Sequence, residues 1–181
     1  EGRFRCRNFH YPGQRFPCRM VKIDILGVRG QVQDTKVFIS ALQSIGGGEG
    51  LALDADMICG RDHLISATMH AKRAFERGVN ASTNLAMETM LYASGERQIS
   101  KATRKMGLKV GCERIALVLF NVQDLQKVLR DHSLDRDDAV LEASVEKALR
   151  FGISHEELRA VPADRFEDLV LERVAFVGLH K

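Results

Sequence analysis

The chain has 181 residues, 45% of them hydrophobic and 28% charged, with no Trp and three Pro, which describes one folded domain and excludes a disordered, collagenous or disulfide-stapled chain. Its longest uninterrupted apolar run, residues 115–120, is far shorter than the ~20 residues needed to cross a bilayer. The formal net charge of +3 conceals a division: residues 1–19 carry +4, 20–60 carry −2, 61–114 carry +5 and 115–181 carry −4. A basic middle beside an acidic C-terminal part points to an anionic partner for one region and a different contact for the other.

In chain order, residues 1–19 hold five Arg (Arg3, Arg5, Arg7, Arg15 and Arg19) with Pro12 and Pro17 and no periodicity, so they read as a flexible basic arm, and residues 20–181 as the folded domain. The alternation of residues 21–25 predicts a half-buried strand. Asp34 can cap a helix carrying Phe38, Ala41, Leu42 and Ile45, which the glycines at 46–48 should end. A second strand at 51–53 leads through Asp54 and Asp56 to Asp62, read as the N-cap of a helix with Leu64, Ala67, Thr68, Ala71 and Phe75 on one face. Ser82, Thr83 and Asn84 offer caps for the next helix, whose Met87, Met90, Leu91 and Ser94 fall on one stripe.

After Gly95 a further helix is expected to run to Met106, with Gly107 as its stop. Residues 115–120, with nothing polar among them, predict a strand buried on both faces. Helices are expected at about 122–131 and 137–151, then a short one opened by the capping box Ser154/Glu157, then one capped by Asp164. Residues 174–177 read as a last strand. Because strands and helices do not alternate regularly, the expected class is α+β, with many helices packed on a small mixed β-sheet in a single domain.

Several chemistries can be weighed from spacing. The glycines at 46–50 invite a phosphate-loop reading, but no Gly-Lys-Ser/Thr follows, a strand comes next where a helix N-terminus is needed, and Glu49 would repel an anion. Cys6, His10 and Cys18 lack a fourth zinc ligand and sit among arginines. His63 and His70, seven residues apart, are separated by about 10.5 Å along a helix axis, too far for one zinc ion. Asp54 and Asp56 fit a strand terminus and a loop cap better than a paired-acid site. No nucleophile elbow or Cys–His setting is recognisable. Four Cys with no CxxC pair suggest a reduced, cytoplasmic protein.

The informative segment is 92–106. On a helix, Ile99, Ala102 and Met106 share one face, while Arg97, Lys101, Arg104 and Lys105 make a cationic stripe spanning roughly 10 Å, enough for two or three phosphates of a single strand. Ser94, Gln98 and Ser100 add hydrogen-bonding groups, and Tyr92, if exposed, a stacking surface. The alternative is a solvated amphipathic helix with ordinary Lys and Arg.

The run from Leu85 to Ile99 (LAMETMLYASGERQI), preceded by Gly60 to Ala67 (GRDHLISA), closely resembles archaeal members of the PRPK-binding-protein family, the TPRKB-like regulatory subunits of the KEOPS, or EKC, complex. The resemblance implies a non-catalytic subunit without cofactor or metal. It would dock on the kinase-like ATPase subunit, reach the threonylcarbamoyl transferase subunit through it, and recruit tRNA by the 3′ CCA end for threonylcarbamoyladenosine modification beside the anticodon. Carried onto this sequence, it assigns RNA contact to Ser94, Gly95, Arg97, Gln98, Ile99, Lys101 and Arg104, with Arg61 and His63 as a second bank. Leu141, Val145 and Leu149 supply a candidate stripe for the kinase, equally suited to the core; a purely protein-binding adaptor is the alternative function.

Overall fold

The computed structural model describes residues 21–180 except 44 and 46, and not the side chains of residues 179 and 180. The arm and its Cys6, His10 and Cys18 lie outside the described residues. The strands are β1 (Ile23–Arg29), β2 (Glu49–Asp54), β3 (Arg114–Phe120) and β4 (Asp135–Arg136); the α-helices are α1 (Thr35–Leu42), α2 (Arg61–Arg77), α3 (Leu85–Ser94), α4 (Ile99–Met106), α5 (Leu125–Asp131), α6 (Val145–Phe151), α7 (His155–Ala160) and α8 (Phe166–Phe176). The class is α+β. The sheet order is β2-β3-β1-β4, and every pair is antiparallel. The expected mixture of parallel and antiparallel pairs does not arise because β3 inserts between β1 and β2, which run the same way without touching.

β3 organises the interior. Its alternate side chains point to opposite faces, and each face has its own core. Ala116, Val118 and Phe120 join Ile25, Leu51 and Leu53 under α2, α3, α4, α6 and α8. Ile115, Leu117 and Leu119 join Leu26, Val28 and Ala52 under Phe38 and Leu42 of α1 and Val128 and Leu129 of α5. This two-sided burial is the reason the run 115–120 contains no polar residue.

Several caps are those read from the sequence. Asp34 accepts from Lys36 N and Val37 N, Asn84 from Met87 N, and Ser154 and Glu157 close a reciprocal capping box. Gly48 belongs to a packed turn: a Cβ there would stand 2.2 Å from Phe120 O, so its missing side chain lets two backbones meet.

Five further expectations are corrected, the first being the Asp164 cap: α8 begins at Phe166 behind Arg165, with no side-chain bond at the cap position. Residues 174–177 are helical, continuing α8 into a 3₁₀ turn, Val177–His180, because Val170, Val174 and Val177 recur at helical spacing and are buried together. The segment 137–151 is two pieces. Asp137 caps a 3₁₀ turn, Asp138–Leu141, and Ser144 caps α6, so local side-chain bonds to the backbone interrupt a continuous helix. α2 begins at Arg61 behind Gly60, with Asp62 in its first turn in place of the cap position, where its charge still favours the positive end of the helix dipole. α4 begins at Ile99, leaving Arg97 outside the helix.

α3 is enclosed, with Ala86 and every residue from Glu88 to Ser94 buried. Glu88 accepts hydrogen bonds from Ala81 N, Ser82 N and Ser82 Oγ, each at 2.9 Å, and so ties the incoming loop to the helix. Glu88→Ala strands the buried Ser82 donors and frees Ala81 N; a loss of roughly 2–4 kcal/mol in unfolding free energy is expected from urea denaturation, with no change in the unfolding slope.

Candidate nucleic-acid interface

The residues singled out from the sequence gather where α3 turns into α4. α3 stops because Gly95 adopts a left-handed conformation, φ 70°, the role glycine fills without a Cβ penalty. Gly95 N donates to Tyr92 O at 3.1 Å and Glu96 N to Leu91 O at 3.2 Å. The chain then passes through Arg97 and Gln98 to α4, which buries Ala102 and Met106 against α3 and leaves Ser100, Lys101 and Arg104 in solvent.

The expected contacts divide by exposure. Gly95, Arg97, Gln98, Lys101 and Arg104 are exposed, as is Ile99 at 44%, so Ile99 offers the apolar platform that packing in the core would have removed. Arg61 is exposed at the start of α2. Ser94 and His63 are fully buried at 0%. The Ser94 hydroxyl donates to Leu91 O at 2.9 Å. Tyr92 is buried too, its ring stacked on His70 with centroids 5.4 Å apart, so it offers no free face.

His63 supports the end of α3 from inside. Its Nε2 lies 2.7 Å from Ala93 O, and Cys59 N donates to its Nδ1 at 3.2 Å. The two bonds together require the neutral tautomer protonated at Nε2. Burial, opposed by the Ala93 bond and reinforced by the Lys105 charge, lowers its pKa to about 4.

Charge sorts the surface more sharply than composition shows. Among the described residues, Arg61, Arg97, Lys101, Arg104 and Lys109 form no ion pair, whereas Arg114 and Arg150 share Asp56, Arg150 also meets Glu146, Arg165 meets Asp168 and Arg173 meets Glu157. Arg150, Arg165 and Arg173 of the C-terminal part are thus held by carboxylates, while among the described residues the cations beside α4 are not. Lys101 and Arg104, three residues apart, project from one face of α4.

Sequence reasoning missed two neighbours of the turn. A Cβ at Gly95 would lie 3.6 Å from Phe151 Cζ and 3.8 Å from Arg173 Cβ; both come from distant helices, and no local pattern announces them. Other candidates take structural roles. Asp54 caps the turn at Asp56 N, and Asp56 is an ion-pair hub. Glu49, read as hostile to phosphate, accepts from Leu85 N at the start of α3 at 3.1 Å. Cys59 and Cys112 are both raised to about 11 by burial, which leaves them neutral thiols and poor nucleophiles at neutral pH. The Leu141, Val145, Leu149 stripe disperses: Leu141 is buried, Leu149 half-buried, and Val145 exposed. Among the described residues no group of three or more His, Cys, Asp or Glu is placed to hold a metal ion, and no helix is long and apolar enough to cross a membrane.

A small sheet with helices on both faces, presenting an unpaired cationic ridge beside a clamped turn, has the make-up of a binding protein. Residues 31–178 match the family described as kinase binding protein CGI-121, and the chain belongs to that family. It is similar to the regulatory protein Cgi121 of Methanocaldococcus jannaschii, 26% identical over 157 residues that cover 87% of this chain and 98% of the relative. The resemblance carried by residues 60–67 and 85–99 is thereby borne out at the level of family.

Because His63 has a folded pKa of about 4 against an ordinary 6.5, the unfolded chain binds its proton more tightly. Its contribution to stability is full above pH 6.5 and is lost as pH falls towards 4, up to about 3 kcal/mol. Urea midpoints between pH 7 and 4 should fall along that curve, and His63→Gln should flatten it; an unchanged curve in the variant would assign the acid sensitivity to other groups.

Proposed function

We propose that this protein is a non-catalytic subunit of the KEOPS complex. It binds the kinase-like ATPase subunit, reaches the threonylcarbamoyl transferase subunit through it, and recruits tRNA by the 3′ CCA end for threonylcarbamoyladenosine modification beside the anticodon. Membership of a kinase-binding family and a relative named as a regulatory protein support the regulatory half. The RNA half rests on one observation: Arg97, Lys101 and Arg104 are exposed together with Ile99 at the α3–α4 turn, and among the described residues none of the three is in an ion pair.

Such a surface suits a single-stranded end. Phosphates need cations free to release counterions, and unstacked bases need an apolar platform; groove reading needs neither arrangement. Gly95 brings backbone within reach of a nucleotide, Gln98 supplies an amide for base edges or ribose hydroxyls, and Arg61 would form the second bank. His63 and Ser94 act in this reading as supports for the turn. The family is described as kinase-binding, which favours the second reading, an adaptor that touches no RNA.

A gel shift of the isolated protein with intact and CCA-trimmed tRNA separates the two. Recruitment by the CCA end predicts clear preference for intact tRNA, affinity that falls as salt rises, and about a tenfold loss on Arg97→Glu with kinase capture unchanged. Equal binding of both tRNAs would refute the CCA assignment, and wild-type affinity in Arg97→Glu would select the adaptor.

A further inference from the structure

The turn between α3 and α4 is shut from beneath by a side chain to which the proposed function gives no part. A helix leaves its last four carbonyls without intrahelical partners, and in a buried helix each must be answered inside the protein. Leu91 O accepts from Glu96 N and Ser94 Oγ, and Tyr92 O from Gly95 N. Ala93 O is met by His63 Nε2 at 2.7 Å. The last, Ser94 O, accepts from the Lys105 ammonium at 2.8 Å.

That ammonium also stands 3.9 Å from the centroid of the Phe151 ring, and the same ring meets His63 edge-on with centroids 5.2 Å apart. One aromatic side chain of α6 therefore backs both groups that close the end of α3, and the position a Gly95 Cβ would take. Lys105 is half-buried where Lys101 and Arg104 are exposed. A cation at the C-terminal end of a helix is favoured by the helix dipole, and a cation over an aromatic face gains further when partly desolvated. The charges that bear on it are Glu96 and Arg173, and Arg173 is itself held by Glu157.

We infer that Lys105 is a positioning residue of the RNA-binding turn: its ammonium points inward to Ser94 O and Phe151 and fixes residues 95–98, leaving the phosphates to Arg97, Lys101 and Arg104. The inference rests on the RNA reading above. A turn already held in shape needs less ordering when a strand arrives, and four cations that look alike in the sequence divide into three that meet the ligand and one that braces them.

The test compares Lys105→Met, Lys105→Arg and Lys101→Met in the full chain, using a single-stranded RNA oligonucleotide ending in CCA over a series of salt concentrations. Lys105→Met should weaken binding about tenfold while leaving the slope of log affinity against log salt as in the wild type. Lys101→Met should reduce that slope by about 0.7, the signature of one lost phosphate contact on a single strand. Lys105→Arg, which keeps a donor and a cation over Phe151, should recover most of the affinity. Without RNA, amide hydrogen exchange at Gly95 and Glu96 should be faster in Lys105→Met. A slope that drops in Lys105→Met as it does in Lys101→Met makes Lys105 a phosphate contact and overturns the inference, as does unaltered exchange at the two amides. If Lys101→Met and Arg97→Glu both bind RNA like the wild type, the RNA reading fails on its own, and the exchange measurement still decides whether Lys105 fixes the turn.

Discussion

The enclosure of α3 governs the molecule. A helix buried from Glu88 through Ser94 is shielded from water over most of its length, so the donors and acceptors it covers must find protein partners. The sequence answers at both ends. At the start, Asn84 accepts from Met87 N, Glu49 reaches across from β2 to Leu85 N, and Glu88 gathers the loop before it. At the finish, two backbone bonds and the side chains of His63 and Lys105 meet the last carbonyls. The exposed turn that follows is consequently joined to a buried helix, and a surface loop acquires a defined shape without a long rigid element of its own.

The distribution of ion pairs gives the charge pattern its meaning. Acidic residues outnumber basic ones after residue 114, and a reading from composition alone would make that half an acidic surface. Glu146, Glu157 and Asp168 instead hold Arg150, Arg173 and Arg165, and Asp56 reaches from the N-terminal half to Arg114 and Arg150. Exposed pairs of this kind add little stability, typically below about 1 kcal/mol each. Their consequence is electrostatic: they mute the field around the arginines they hold, whereas among the described residues Arg97, Lys101 and Arg104 beside α4 have no ion-pair partner to mute theirs.

Much of the architecture was legible because one periodicity or one cap determined it. The uninterrupted run 115–120 announced a strand between two cores, and Asp34, Asn84 and Ser154 marked helix starts by the hydrogen bonds their side chains make. The last element was misread since four apolar residues in a row fit either period, and only the longer spacing of Val170, Val174 and Val177 decides for helix. At the candidate interface, Arg97, Lys101, Arg104 and Ile99 were visible as a stripe. The burial of His63 was also written in the spacing, for it lies four residues before Ala67 and eight before Ala71 on the apolar face of α2. What no local pattern holds is the meeting of Lys105 with Ser94 O and Phe151, which exists only after α6 has been laid against the end of α3.

An unpaired ridge has a cost that the fold must absorb. Lys101 lies four residues before Lys105 and three before Arg104, spacings at which like charges on a helix repel by roughly 0.2–0.5 kcal/mol per pair. An eight-residue helix such as α4 cannot stand alone against that repulsion, since isolated helices of this length are unstable in water. It stands because Ala102 and Met106 are fully buried at 0%, and burial of a side chain the size of Met contributes about 1.5–3 kcal/mol. Turning Lys105 inward relieves part of the repulsion by removing one charge from the exposed face. The packing of α4 on α3 thus supplies the stability that allows the remaining cations to stay unpaired, and neutralising them with internal carboxylates would stabilise the helix while removing the charge that the proposed reading uses.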